Sequence, residues 1–212
     1  MILETRAVAP FYKNGYVVGC EKTREGVLID PGDEVEALLE TIAAHELKMR
    51  YILLTHAHLD HITGVDRARA ALKCPVVLHQ DDRPLYDALV QQGAAFGFPV
   101  ERQPPVDLFY ETEGTLTFGD YVVTIRHTPG HCPGGVCLTV ENAERSERSL
   151  FVGDTLFAGS IGRTDLPGGD TGVLLRSITE VLFAYPDDTP VYSGHGAPTT
   201  IGREKRTNPF LI

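Results

Sequence analysis

The stretch LLTHAHLDHITG, Leu53–Gly64, sets His56, His58, Asp60 and His61 within six residues, directly behind the apolar run Tyr51–Leu54. Imidazoles and a carboxylate are costly to bury without partners, so such a cluster is not mere core filling, and a loop at a strand end can aim it into a common cavity. The pattern after the cluster predicts a helix from about Asp60 through Leu72. Asp60 would then lie near its first turn, where the positive end of a helix favours a carboxylate. One strand must stop, and one helix must start, at a shared rim.

The rest of the chain repeats that arrangement. GYVVGC, GVLID, YILLT and PVVLH read as short buried strands, and DEVEALLETIAAHEL carries Leu38, Leu39 and Ile42 at helical spacing. A further helix is expected from Asp81 to Ala95, and GTLTFGDYVVTIRHTPG reads as a hairpin about a Gly-Asp turn. Strands follow in GGVCLTV and RSLFVGD, then a helix at GVLLRSITEVLFAY and a strand at PVYSG. Strands and helices are interspersed throughout, which suits sheets packed together with helices outside them. No linker or repeat divides residues 1–212, so one domain is expected.

Three more candidate ligands stand just past apolar runs: His131 after YVVTIR, Asp154 at the end of SLFVGD, and His195 after VYSG. The set totals five histidines and two aspartates. Zinc takes about four N, O or S ligands, too few to use them all on one ion, whereas two ions sharing a bridging carboxylate would. Such a pair can hold a hydroxide that remains nucleophilic near neutral pH. Zinc is the expected ion, and iron and manganese suit the same donors. His45, His79 and His127 are read as ordinary structural histidines, and Cys132, beside His131, as a buried inert thiol.

Composition removes several classes of partner. The net charge is -10 with 42% hydrophobic residues, so a globular chain is expected, without the positive field that nucleic acid or anionic membrane requires. The N-terminus shows no basic segment followed by a long apolar run, and no stretch approaches the roughly 18 apolar residues of a span. Cys20, Cys74, Cys132 and Cys137 form no CxxC pair. Free thiols in a reducing, cytoplasmic setting are therefore expected.

THAHLDH, HTPGH, FVGD and SGHG, in that order, closely resemble the metallo-β-lactamase superfamily, and the resemblance runs from GVLIDPG to the C-terminus. It implies a four-layer αββα sandwich with the metals at one edge of the two sheets. By motif position it implies one metal site of His56, His58 and His131, a second of Asp60, His61 and His195, and Asp154 bridging. Asp30 in LIDPG resembles the family's acid that orients a ligand imidazole; the alternative is a cap on the turn before the helix. FAGSIGRTDLPGGD and TIGREKRTNPFLI look most like the short glyoxalase II-like hydrolases. That resemblance implies cleavage of glutathione thioesters such as S-lactoylglutathione, with Asp60 ligating one ion and orienting the hydroxide. The chain ends soon after His195, so the helical C-terminal domain of the longer enzymes is expected to be absent.

A second resemblance, through the GRTD loop Gly162–Asp165, is to persulfide dioxygenases, which would use one iron on His56, His131 and Asp154. Nucleases are disfavoured by the acidic charge, and a β-lactamase by His61. An anionic thioester would need cations at the mouth: Arg163, or the run Arg203, Lys205 and Arg206. Of these, Arg163 is expected to pair with Asp165 or Asp170, and Lys205 and Arg206 to meet the substrate.

Overall fold

Alternation within the strands sets the layering. The structure, a computed structural model, describes residues 1–8, 11–33, 35–111, 114–144 and 146–212. The first sheet has six strands in chain order: β1 (Ile2–Val8), β2 (Lys13–Gly19), β3 (Glu25–Ile29), β4 (Lys48–Leu53), β5 (Val76–His79) and β6 (Leu108–Tyr110). β1, β2 and β3 pair antiparallel, and β3 to β6 run parallel. The second also has six, β7 (Thr115–Phe118), β8 (Tyr121–His127), β9 (Val136–Asn142), β10 (Arg148–Gly153), β13 (Pro190–Ser193) and β14 (Thr199–Thr200), ordered β14-β13-β10-β9-β8-β7. β11 (Leu156–Phe157) and β12 (Ser160–Ile161) form a small hairpin beside it.

Successive side chains leave a strand on opposite faces. Val18, Val27, Ile29, Leu53 and Val77 accordingly meet Val123, Ile125, Leu138, Val140 and Phe151 between the sheets. Their neighbours Val17, Leu28, Ile52, Leu54 and Val76 face the other way, into a layer that includes Leu38 and Ile42 of α1 (Val35–Ala44). The outer face of the second sheet, Cys137, Leu150, Val152 and Val191, is covered by Leu174, Ile178, Leu182 and Ile201. This is the αββα sandwich of the metallo-β-lactamase fold.

The helices depart from the expected spans for local reasons. Glu34, inside the first expected helix, lies outside the described residues. The helix expected from Asp60 through Leu72 is two, α2 (Leu59–Ile62) and α3 (Val65–Leu72). At the break, a Cβ on Gly64 would collide with the carbonyl oxygen of Gly32, so two backbones meet where a continuous helix would carry a side chain. The Asp81–Ala95 helix becomes a tight turn at Gln80–Asp82, then α4 (Arg83–Asp87) and α5 (Leu89–Phe96). At that junction the Gln92 amide donates to the Leu85 carbonyl at 2.8 Å, occupying an acceptor a continuous helix would use. The last long helix starts as α6 (Thr171–Arg176), capped by Asp170 accepting from Val173 N at 2.8 Å, then winds on as a wider π-helical turn over Ser177–Val181 and a tighter 3-10 turn over Leu182–Ala184. α7 (Ile201–Thr207) follows β14. No helix is long and apolar enough to cross a membrane among the described residues.

Leu138 sits fully buried between the sheets, so Leu138→Ala should cost about 2–5 kcal/mol. Val90→Ala, on the exposed face of α5, should stay within about 0.5 kcal/mol. Denaturant titration of metal-free protein measures both.

Candidate metal centre

Every expected ligand lies at one edge of the two sheets, in the turn or short helix that follows a strand. His56 and His58 follow β4, Asp60 and His61 lie on α2, His131 is in the loop after β8, Asp154 follows β10, and His195 follows β13. Parallel pairing of β3 with β4, and of β10 with β13, makes these ends leave in the same direction. Three overlapping groups result: His56, His58 and His131; His56, His61 and Asp154; and Asp60, His61 and His195. Within each, the potential ligand atoms lie within 4.8 Å of one another.

Asp154 stands between the clusters. Its Oδ1 is 3.4 Å from His61 Nε2, and its Oδ2 is 3.8 Å from His131 Nε2 and 3.6 Å from His195 Nε2. His58 Nδ1 faces His131 Nε2 at 2.8 Å, and Asp60 Oδ2 accepts from His195 Nε2 at 3.0 Å. Two glycines keep the space open. A Cβ on Gly194 would strike Asp154 Oδ1 and His61, and one on Gly162 would strike the Asp154 carbonyl.

Hydrogen bonds behind the ligands assign their tautomers. Asp30 is buried in a left-handed conformation (φ 47°), and its Oδ1 accepts from Thr55 N at 2.7 Å. Its Oδ2 accepts from the Thr55 hydroxyl at 2.6 Å and from His61 Nδ1 at 2.9 Å. Since the Thr55 hydroxyl proton goes to Asp30, its oxygen accepts from His56 Nδ1 at 3.1 Å. His131 Nδ1 donates to the Arg163 carbonyl at 2.8 Å. Each Nδ1 proton is thus directed outward, and the Nε2 atoms of His56, His61 and His131 point into the cluster. Asp30 thus accepts from His61 directly and reaches His56 through Thr55.

These residues fit metal ions. His56 Nε2, His61 Nε2 and Asp154 Oδ1 are buried without a hydrogen-bond partner among the described residues, each a loss of about 1–3 kcal/mol that coordination would offset. Burial pushes the pKa of His56 down, with neighbouring imidazoles adding to it, and brings His58 to about 3; both stay neutral and able to ligate. Burial opposes charge on His61 as well, but Asp30, Asp60 and Asp154 outweigh it and hold that imidazole up to about 10. Burial also acts against ionisation of Asp60 and Asp154, while His61 and His195 draw both below the usual carboxylate range. This field favours a cation.

Other expectations are redistributed. Arg163 borders the site, where its guanidinium donates twice to Asp165, both at 2.7 Å. Lys205 and Arg206, expected to meet the substrate, lie on α7 and bind Asp187 at 3.0 and 3.2 Å, and neither is among the described residues lining the cleft. The helix projects them toward the turn before β13, away from the rim. His45 pairs with Glu4 at 3.6 Å on the surface. His79 and His127 stack at 4.1 Å with Asp81 nearby, and His127 Nε2 faces the Pro133 carbonyl at 2.8 Å. Cys132 is buried and donates Sγ to Asp82 at 3.2 Å; burial first, and Asp82 next, push its pKa well up.

Asp82 and Gln92 went unread in the sequence. Asp82, fully buried, accepts from Ala57 N at 2.9 Å and Gly134 N at 2.5 Å, joining the His56–His58 turn to the His131 loop. Gln92 accepts from Leu59 N at 3.0 Å and donates to Ala57 O at 2.9 Å. Neither lies in a motif, and HQDDRP resembles a solvated turn.

The chain belongs to the metallo-β-lactamase superfamily, whose profile matches residues 8–195. A curated relative, the hydroxyacylglutathione hydrolase GloC of Haemophilus influenzae, is 35% identical over 100% of this chain and 98% of its own. Among solved structures, the BLEG-1 B3 metallo-β-lactamase is 40% identical with a TM-score of 0.89, covering 100% of both chains. TTHA1623, solved in a di-iron-bound form, is 41% identical with a TM-score of 0.85 over 98% of this chain and 100% of its own. ETHE1 from Myxococcus xanthus is 29% identical with a TM-score of 0.81 over 99% of this chain and 84% of its own.

Asp30→Asn tolerates the left-handed backbone but presents an amide where His61 and Thr55 need an acceptor. Metal affinity should fall about 10- to 100-fold, as for other loss of ligand-orienting partners. Competition against a chromogenic chelator measures it, and unchanged affinity would refute the orienting role.

Proposed function

We propose that this metal-dependent hydrolase cleaves thioesters with a binuclear centre. The observation that carries the reading is Asp154 between two imidazole clusters, with buried, unpartnered Nε2 atoms on His56 and His61. His56, His58 and His131 would hold one ion, Asp60, His61 and His195 the other, and Asp154 both. When bound, two divalent ions supply Lewis acidity to a carbonyl and make water acidic enough to attack near neutral pH. Zinc suits the N and O donors, as do iron and manganese.

The residues then divide the work. Asp60, ionised at the cleft floor, orients the attacking water toward the thioester carbonyl. A C–O bond forms, the C–S bond breaks, and the water's proton is left for the departing thiolate. Cys132, protonated and committed to Asp82, supplies no nucleophile. S-lactoylglutathione is the reference substrate suggested by GloC.

A second reading, oxidation of a glutathione persulfide by oxygen at one iron on His56, His131 and Asp154, gains support from the likeness to ETHE1. The likeness to a B3 metallo-β-lactamase adds β-lactam hydrolysis, disfavoured on the sequence, to what must be assayed. Parallel assays of thioester cleavage, oxygen uptake with persulfide, and cephalosporin opening separate the three. Faster turnover in either of the last two would overturn the thioesterase.

Reconstituted protein should plateau at about two ions per chain by elemental analysis. A firm plateau at one iron would favour the dioxygenase.

Asp60→Ala should lower kcat by about 10²-fold or more with the circular dichroism spectrum unchanged. His45→Ala, a surface change, should leave kcat near wild type. Near-wild-type turnover in the Asp60 variant would remove that residue from the reaction.

A further inference from the structure

The cleft above the cluster, about 510 Å³, is of a size that holds a small molecule. Its floor is polar, formed by His58, Asp60, His131, Asp154 and His195. Its walls are mostly apolar, with Phe11, Leu85, Ala95, Phe96, Leu166 and Pro167 among them, and Gln91, Gln92 and Arg163 the polar members. Phe96 is 47% exposed, so an aromatic ring lies in water where a ligand could cover it. Covering such surface is the main source of affinity for apolar groups.

Charge in the walls is scarce. Arg163 is the one Lys or Arg among the described lining residues, and Asp165 already takes its guanidinium through two hydrogen bonds. Gln92 is equally committed, to Leu59, Ala57 and Leu85. With its thioester held at the floor, a glutathione conjugate would lay its carboxylates along walls that offer, among the described residues, no Lys or Arg besides Arg163. The overall charge of -10 acts against them as well.

We propose that the cleft selects thioesters carrying an uncharged, apolar arm, an alkyl or aryl group laid against Phe11, Ala95 and Phe96, over the anionic conjugates of glutathione. This rests on the thioesterase reading and names its substrate class. Volume does not make the choice, since the cleft is roomy; the missing countercharge does.

Two measurements test it on metal-loaded protein. Calorimetry with unreactive thioethers reads the cleft alone. S-hexyl-N-acetylcysteamine should bind about tenfold or more tighter than both S-methyl-N-acetylcysteamine and S-methylglutathione, since each buried methylene adds roughly three- to fourfold. Ala95→Asp, at an exposed position of α5, should erase the gain from lengthening the chain, and Phe96→Ala should reduce it. S-methylglutathione binding as tightly as the hexyl compound, or a length gain that survives Ala95→Asp, overturns the proposal. Hydrolysis of S-hexanoyl-N-acetylcysteamine against S-lactoylglutathione reads the reaction. Thioether binding as expected with neither thioester cleaved would sink the thioesterase and leave the apolar cleft standing. Preferred binding and cleavage of the glutathione compounds would do the reverse.

Discussion

Two oxygens of one buried carboxylate, Asp30, accept from the Thr55 amide, the Thr55 hydroxyl and the His61 imidazole. These contacts bind the end of β3 to the end of β4 and to α2, and through Thr55 they also set the ring of His56. Burial of a carboxylate is costly unless its lone pairs are filled, and in a low-dielectric interior the filled bonds are strong. The same arrangement therefore anchors two ligand-bearing segments and directs their lone pairs. Asp30 itself is held, for Lys13 Nζ donates to its backbone carbonyl.

The second sheet contributes through close backbone approach. Gly194, next to His195, allows Asp154 and His61 to come together, and its amide donates to the Gly153 carbonyl at 2.8 Å. Asp82 performs the corresponding task across the sandwich, tying the Ala57 and Gly134 amides into one acceptor. Burial raises its pKa, and those amides counteract the shift. Mixed polar contacts of this kind, rather than the apolar core, bring the two halves of the centre into register.

Central strands were legible because burial on both faces leaves continuous apolar runs, as in GVLID and PVVLH. β1 and β14 were not: they lie at sheet edges, and β1 is mostly half-buried, so its pattern is weak. The candidate ligands were legible as residue types at strand ends, whereas their convergence involves Asp30, Asp82 and Gly194, whose contacts appear only once distant segments meet. Lys205 and Arg206 show the complementary limit. Nearness to His195 in the chain does not fix the direction in which α7 projects them, and Asp187 claims both.

Floor and walls of the cleft answer to different constraints. Geometry at the floor is over-determined, because moving one imidazole breaks a chain of buried hydrogen bonds leading to Asp30 or to the Arg163 carbonyl. The α5 wall carries no such burden: Ala95 and Phe96 are exposed and their side chains make no hydrogen bond that holds a ligand. Substitutions there cost little stability, since exposed positions tolerate change. With the floor fixed and the α5 wall open, substitutions on a short helix would change what the cleft admits without disturbing the imidazoles below.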